Sequence, residues 1–265
     1  FEWGGNWKHA VDAFNESYHF TSLHPDMVQF GEGHDIPIEL EGIHSRMLNF
    51  GGTVSEVLEE QDEMTTLRTR MMENRLGLTK DEYKGSAKDV HHEVLKHKRS
   101  IQGGTHFPYE KMNDEQLAHQ YHYTFFPAAT FTQKPEAGNV FRYRPHATDP
   151  NRCYYDFFIL LRNPEGTPVP AYEHRVHPHG DATIYAKALE GSFDPILANV
   201  LQQDGSNMES MQDGVKSDSF KGMLLCEQEV RLRHFHQTID RFIDGAYSTD
   251  WNAVNLAPTS GLIQD

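Results

Sequence analysis

The chain has 265 residues, enough for one large domain or two small ones, with 37% hydrophobic and 11% aromatic residues. Its formal net charge of -15 excludes the basic surface that nonspecific nucleic-acid binding requires. No run of about 18 apolar residues is present, so no membrane-spanning helix is predicted.

The first predicted helix covers residues 6–24, where apolar residues recur at steps of three and four. Asp12, Glu16 and His19 are also related by such steps and would share one face. His24 would lie about 140° further round than His19, so a regular helix cannot aim both imidazoles at one point. We therefore expect the helix to bulge or stop between them, and Pro25 favours a stop soon after His24. The apolar positions are Trp7, Val11, Phe14 and Tyr18.

The next stretch predicts a loop and then charged helices. Residues 25–52 favour a loop with one short strand at Ile43–Phe50. Residues 53–76 and 80–100 favour helices, because they are rich in good helix formers. Few of these residues are apolar, so we expect the helices to be peripheral. The basic run from Lys96 to Arg99 is typical of a solvated helix face rather than of a recognition patch.

Four β-branched or aromatic runs follow, separated by Pro, Gly, Asn and Asp. They cover residues 121–132, 138–144, 153–162 and 183–189. Their short spacing without helices between them predicts antiparallel pairing. Helices return over residues 194–203 and 226–243, with an interruption at Gly205, and the tail 248–265 is expected to be irregular. The sequence predicts one α+β domain.

Two histidines and one carboxylate form the facial triad that holds non-haem Fe(II). The carboxylate can come from any part of the sequence, so spacing alone does not choose it. Asp204 is our candidate, because it ends an apolar helical turn and Gly205 follows it. The residues by themselves leave a second interpretation open, since Gln-Asp-Gly is more often a helix end with a solvated Asp.

Several segments, in the same order, resemble Rieske-type aromatic-ring-hydroxylating oxygenase alpha (large) subunits. The first is the acid-acid-His-His spacing at residues 12, 16, 19 and 24, with Asn6–Lys8 before it and Pro25 after it. Residues 121–127, 141–150 and 202–214 are similar to central strands and to the segment of the third ligand. Residues 227–236 are similar to the closing helix, so the resemblance extends from residue 6 to about residue 243.

The resemblance implies a helix-grip (START-like) catalytic domain, a curved antiparallel β-sheet with flanking helices, over residues 1–265 with a helical insertion at about 53–100. It implies a mononuclear Fe(II) ion held by His19, His24 and Asp204. Glu16 would contact a ligand histidine and bridge towards the Rieske cluster of a neighbouring subunit, with Asp12 as a supporting acid.

Two features depart from the family pattern. Many members have Asn where this chain has Ala13, so a role of that Asn is not carried over. A Rieske [2Fe-2S] cluster needs Cys-x-His and Cys-x2-His pairs, and neither Cys153 nor Cys226 is followed by such a histidine. The chain also starts at Phe1 without a signal peptide. We expect the cluster in an N-terminal domain of the full-length protein that this chain lacks.

The resemblance further implies the terminal component of a mono- or dioxygenase, an oxidoreductase that hydroxylates an organic, aromatic substrate with O2. Electrons would pass from NAD(P)H through a reductase and a ferredoxin to the Rieske cluster, in a homotrimer with or without beta subunits. Phe14, Met27 and Val200 neighbour the ligands in sequence and are candidates for the substrate pocket. Two cysteines without a disulfide framework favour a cytoplasmic setting.

Two other functions stay open. The same iron chemistry serves non-aromatic substrates such as quaternary amines, and an aromatic cage or an acidic residue near the iron would then be expected. A metal-free helix-grip ligand carrier would use the same cavity, with histidines that only form hydrogen bonds. A second metal motif, His177, His179 and Asp181, requires a strand, whereas Pro178 and Gly180 favour a loop.

Overall fold

The computed structural model describes residues 1–25, 33–49, 90–102, 107–163, 176–179 and 195–247, together with Gly166 and Pro168. Its helices are α1 (Trp7–Ala13), α2 (Phe20–Leu23), α3 (Val90–Ile101), α4 (Asp114–Ala118), α5 (Pro195–Val215) and α6 (Val230–Ile243). Its strands are β1 (Glu2–Trp3), β2 (Ile38–Glu41), β3 (His44–Asn49), β4 (Gln120–Phe125), β5 (Ala129–Gln133), β6 (Ala137–Pro145) and β7 (Cys153–Leu161). Short 3-10 helices at Tyr109–Lys111 and Glu227–Glu229 precede α4 and α6.

The seven described strands form one sheet in the order β1-β7-β6-β5-β4-β3-β2. Every neighbouring pair is antiparallel, and β6 pairs with β7 from Ala137 opposite Leu161 to Pro145 opposite Cys153. β2 and β3 are joined by a tight turn in which Gly42 has a φ of 59°, a conformation that favours glycine. The predicted α+β class and antiparallel pairing are confirmed.

The core lies between this sheet and helices α1, α5 and α6. Phe141, Tyr143 and Tyr155 project from β6 and β7 into it and are almost completely buried. Val11 and Phe235 bring α1 and α6 into the same cluster of buried apolar side chains. Because side chains alternate across a strand, the other face of these strands carries charged pairs such as Arg144 with Asp156 instead.

The predicted helix over residues 6–24 is in fact two helices. α1 ends at Ala13, and α2 is a single turn that begins after His19 and ends before His24. The interruption therefore precedes His19, whereas the sequence predicted it between the two histidines. Tyr18, predicted on the apolar face of a continuous helix, lies in the interruption and is 55% exposed.

Side-chain hydrogen bonds explain where this helix stops. The Glu16 carboxylate accepts the backbone N–H of His19 at 3.0 Å. Asn15 is fully buried, and its side-chain oxygen accepts the hydroxyl of Thr124 on β4. These bonds offer the chain an alternative to continued helix, as Asn and carboxylate side chains often do.

α5 runs through Gly205, where the sequence predicted an interruption. Buried residues continue on one face of the helix on both sides of the glycine, so packing continues along its length. This packing compensates the ~1 kcal/mol by which a glycine inside a helix is less favourable than an alanine. The buried residues on this face are Leu201, Asp204, Met208 and Gln212. Asp204 is therefore a buried mid-helix residue and not a helix end.

The basic run on α3 is only partly solvated, since the Lys96 side chain is 76% exposed whereas Lys98 is buried. Lys98 is 4% exposed, and its Nζ donates to the backbone oxygen of Leu117 at 2.8 Å. The same Nζ lies 2.9 Å from the Glu136 carboxylate, which provides the opposite charge that a buried ammonium needs. The predicted solvated face therefore holds for Lys96 and not for Lys98, because the sequence around a charged residue does not reveal a distant partner such as Glu136.

The short strand expected at residues 43–50 is β3, and β2 is an additional strand in a stretch that the sequence predicted as loop. The run 121–132, predicted as one strand, contains β4, a turn, and β5. Several predicted features lie outside the described residues. They are the elements expected over 53–76 and 183–189, the start of the 80–100 helix, the tail 248–265, Met27 and Asp181. No helix within the described ranges combines the length and apolarity needed to cross a membrane.

Candidate metal centre

Two imidazoles lie at the two ends of the single-turn helix α2. His19 precedes the turn and His24 follows it, and their ring centroids are 5.1 Å apart. The backbone N–H of His24 still bonds to the carbonyl of Phe20 at 3.0 Å, which holds the end of the turn in place. A break in the helix followed by one tight turn therefore brings the two rings together, which a continuous helix would not do.

The Asp204 carboxylate projects from α5 towards both imidazoles. Its Oδ1 lies 3.1 Å from His24 Nε2 and 3.6 Å from His19 Nε2. One donor atom from each of the three residues lies within 4.8 Å of the others. Across the described ranges, no other group of three histidine, cysteine or carboxylate side chains is close enough to share a metal ion.

The outer nitrogen of each imidazole is held by a neighbouring side chain. His19 Nδ1 donates to Glu16 Oε1, and His24 Nδ1 donates to Gln203 Oε1 at 2.8 Å. A neutral imidazole that donates from Nδ1 presents an unprotonated Nε2. Both Nε2 lone pairs are thus directed at the Asp204 carboxylate, and metal-binding histidines are commonly oriented by hydrogen bonds of this kind.

The donor atoms fit a cation. Asp204 Oδ1 is buried and accepts no hydrogen bond, and only 2% of the side chain is exposed. Two imidazole lone pairs that face a buried carboxylate oxygen repel it, and a positive ion between them removes the repulsion. Two imidazole nitrogens and one carboxylate oxygen are the ligand set of the non-haem Fe(II) facial triad. The described residues therefore match the mononuclear iron that the sequence predicted.

Glu16 also changes the protonation of His19. Burial lowers the pKa of His19, but the hydrogen bond and charge of Glu16, together with the charge of Asp204, raise it above its usual value. A proton and a metal ion therefore compete for this imidazole. The contact between Glu16 and a candidate ligand is the one that the resemblance implied.

Asp12 lies away from both candidate ligands. Its two carboxylate oxygens are 2.9 and 3.0 Å from His236 Nε2, so it joins α1 to α6. It contributes to the centre only indirectly, by fixing the helix that precedes Glu16. A supporting role of Asp12 in catalysis stays a prediction.

The Asp12–His236 pair predicts a specific pH dependence of stability. The Asp12 hydrogen bond raises the pKa of His236, against burial and Lys8, which lower it. Asp240 and His9 are the other titratable groups nearby. A raised histidine pKa stabilises the fold below the unfolded value of about 6.5, and this contribution is lost as pH rises through the folded pKa. We expect His236→Gln to lower the free energy of unfolding by about 1 kcal/mol near pH 6 and by less near pH 9.

Urea denaturation at the two pH values measures this difference. His92→Gln, at an exposed histidine on α3, is the matched control and should change neither value. An equal loss of stability at both pH values in His236→Gln would show that the histidine acts by packing and not by its charge.

The predicted pocket residues lie near the centre in sequence, and two of them lie in the described part of the chain. The Phe14 ring centroid is 4.8 Å from that of Phe141 and 5.7 Å from that of Tyr155. Val200 is half-buried on α5. Contact of Phe14, Val200 or Met27 with a substrate stays a prediction.

Gln203 is a residue of the centre that the sequence analysis missed. Its side chain holds His24 at 2.8 Å, and it directly precedes the predicted ligand Asp204. Its position directly before Asp204 is the sequence signal that could have identified it as a residue of the centre. The described part of the alternative metal motif, residues 177–179, lies in irregular structure, and His177 stacks on Phe1 at a centroid distance of 4.8 Å.

The sequence and the fold both relate the chain to known oxygenases. A sequence model of the family described as ring hydroxylating alpha subunit (catalytic domain) matches residues 1–245. The chain therefore belongs to this family of catalytic domains. No curated protein sequence matches the chain significantly.

Similar solved structures include two of quaternary ammonium Rieske monooxygenases. One is the structure of a quaternary ammonium Rieske monooxygenase, described with insights into carnitine oxidation by gut microbiota. It is 14% identical in sequence with a TM-score of 0.48, and the alignment covers 91% of this chain and 48% of that chain. The quaternary ammonium Rieske monooxygenase CntA with an inhibitor is 13% identical with a TM-score of 0.50, covering 91% and 48%. The antiparallel sheet and the similarity to CntA at a TM-score of 0.50 confirm the predicted α+β helix-grip fold. The chain spans about half the length of the proteins in both structures.

Proposed function

We propose that the chain is the catalytic domain of a terminal oxygenase that hydroxylates an organic, aromatic substrate with O2. His19, His24 and Asp204 would hold a mononuclear Fe(II) ion. The observation that carries this proposal is the convergence of two imidazole Nε2 lone pairs on a buried carboxylate oxygen that accepts no hydrogen bond. Membership of the ring-hydroxylating family supports the same assignment.

The neighbouring side chains keep the donor atoms in place. Gln203 and Glu16 accept the Nδ1 protons of the two histidines, which fixes the tautomer and the orientation of each ring. The Asp204 backbone lies in the middle of α5, so its carboxylate is held by a rigid helix. An Fe(II) ion bound here would supply the redox chemistry that O2 needs to react with an organic molecule.

We further propose that electrons reach the centre through Glu16. The His19 side chain is 26% exposed, whereas those of His24 and Asp204 are 2% exposed, so the centre is most accessible at His19. Glu16 is bonded to this imidazole and is itself 8% exposed. A Rieske cluster of a neighbouring subunit in a homotrimer would approach this side. In the full-length protein that cluster would receive electrons from NAD(P)H through a reductase, directly or by a ferredoxin.

An apolar, aromatic interior supports an aromatic substrate. Phe14 lies against Phe141 and Tyr155, and Phe157 stacks on Phe141 at a centroid distance of 4.9 Å. Offset ring contacts of this type would hold a planar ring of the substrate in the same way as they hold each other.

Iron analysis and oxygen uptake by the full-length protein test this function. Reconstitution with Fe(II) should give about one iron per chain, and oxygen uptake should require the electron donors and an aromatic substrate together. His24→Ala should lose both iron and uptake, whereas His92→Ala, at an exposed histidine, should keep them. Iron that persists in His24→Ala, or bound iron with no substrate-dependent uptake for any arene tested, would refute the proposal.

A further inference from the structure

A buried cation without a counter-ion lies on α6. Arg231 is 0% exposed, and no carboxylate in the described part of the chain pairs with it. Its Nε donates to Ser45 Oγ at 3.0 Å and its Nη2 to Thr124 Oγ1 at 2.5 Å, and both acceptors are neutral. Buried charges are normally paired with an opposite charge, as Lys98 is in this protein. Arg231 therefore differs from Lys98 in having no opposite charge beside it.

Two N–H donors beside Arg231 have no acceptor. His122 Nδ1 lies 3.3 Å from Nη2 and 3.4 Å from Nη1, and since a guanidinium only donates, this nitrogen is the acceptor and the proton lies on Nε2. His122 Nε2 is buried and has no hydrogen-bond partner. Asn15 Oδ1 accepts the hydroxyl of Thr124, which leaves the Asn15 Nδ2 amide buried without a partner as well.

These groups share one chemical requirement. The cluster contains one positive charge and two unused donors, and its members are linked through Thr124 and through the contact between Arg231 and His122. A neutral ligand would satisfy the donors but would leave the charge unbalanced. A carboxylate, or another oxyanion, satisfies both, because it is negative and accepts several hydrogen bonds.

The cluster lies close to the candidate metal centre. Asn15 directly precedes Glu16, which holds His19. Leu201, one turn before Asp204 on α5, and Phe235, one turn after Arg231 on α6, belong to the same cluster of buried side chains around Tyr143. The unpaired cation and the metal ligands thus share one interior.

We propose that Arg231, His122 and Asn15 form an anion subsite that binds the carboxylate, or an equivalent oxyanion, of the organic substrate. The subsite rests on the proposed oxygenase function and narrows its substrates to organic acids. The acid group would accept hydrogen bonds from His122 Nε2 and Asn15 Nδ2, and Arg231, in contact with the opposite nitrogen of the His122 ring, would supply the positive charge. The remainder of the molecule would extend towards the metal centre. A quaternary amine without an acid group is disfavoured, since its positive charge would enter the same interior as the unpaired guanidinium.

Calorimetric titration of the full-length, iron-loaded protein with matched acids and amides tests the subsite. The pairs are benzoate and benzamide, phenylacetate and phenylacetamide, and 3-phenylpropionate and its amide. At least one acid should bind about tenfold or more tightly than its amide, and Arg231→Met should abolish the preference. Arg233→Met, at an exposed arginine on the same helix, should preserve it. Formate should bind much more weakly than the preferred acid, and equal binding would assign the cluster to small free anions instead.

A second variant covers the case in which Arg231→Met does not fold. Arg231→Lys retains the charge without the planar fork and should reduce the acid preference, so it replaces Arg231→Met if that variant does not fold. Equal affinity for acid and amide in all wild-type pairs would refute the subsite by itself. Iron content of the same samples separates the two proposals. A preference that depends on Arg231 in a protein without iron would refute the oxygenase alone, and bound iron without any preference would refute the subsite alone.

Discussion

Asp204→Asn is expected to abolish iron binding without destabilising the metal-free protein. The carboxylate supplies the negative ligand between two imidazoles, and its loss should cost more than the ~10–100-fold in metal affinity that follows loss of a supporting partner. In the metal-free protein Asp204 Oδ1 accepts no hydrogen bond and lies 3.1 Å from His24 Nε2. An asparagine amide at this position can donate to that nitrogen. We therefore expect the free energy of unfolding to stay the same or to rise by about 1 kcal/mol.

Iron analysis and urea denaturation of metal-free samples measure the two effects. Asp213→Asn is the matched control, since this aspartate lies on the same helix and its side chain is 75% exposed. The control should keep iron and stability. Full iron content in Asp204→Asn would exclude Asp204 as the third ligand. A loss of several kcal/mol in the metal-free protein would instead assign the carboxylate a structural role.

The local part of the centre was predictable from the sequence, because the spacing of two histidines and a glutamate is confined to one short segment. The structure brings His19 and His24 together, and Glu16 contacts His19 as the resemblance implied. The partner from α5 was not predictable from spacing, since helix packing alone decides which distant carboxylate reaches the imidazoles. The sequence context made Asp204 a candidate, and the family resemblance favoured it over a solvated helix end. Its proximity to both rings agrees with that choice.

The interruptions of helices were predicted less well than the helices themselves. A glycine inside α5 was taken as a stop, but the buried face of that helix continues to Gln212. The real stop after Ala13 depends on Asn15 reaching Thr124 on a distant strand. Both outcomes are tertiary effects that override local propensity.

Buried cations were the other feature that the sequence did not reveal. Lys98 was expected in solvent, and its partner Glu136 lies far away in sequence. Arg231 belongs to the helix that the sequence predicted best, yet nothing in its apolar periodicity distinguishes this arginine from the exposed Arg233. Packing of α6 over β3 and β4 buries Arg231 and leaves Arg233 in solvent, whereas contacts of α3 bring Lys98 to Glu136.

Glu16→Gln is expected to slow turnover strongly while iron stays bound. The variant keeps an oxygen that can accept the Nδ1 proton of His19, so the ring orientation and most of the metal affinity should remain. It removes the negative charge that links the ligand to the exposed side of the centre. We expect steady-state oxygen uptake with the electron donors to fall by ~10–100-fold, and iron content to change little.

Separate measurement of electron delivery decides between this role and a structural one. Stopped-flow absorbance follows oxidation of the Rieske cluster of the full-length protein when substrate and O2 are added, and this step should be slow in Glu16→Gln. Glu110→Gln, at an exposed glutamate, is the matched control and should leave uptake unchanged. If uptake per bound iron is normal and only the iron content falls, Glu16 serves to hold His19, and electrons reach the centre by another route.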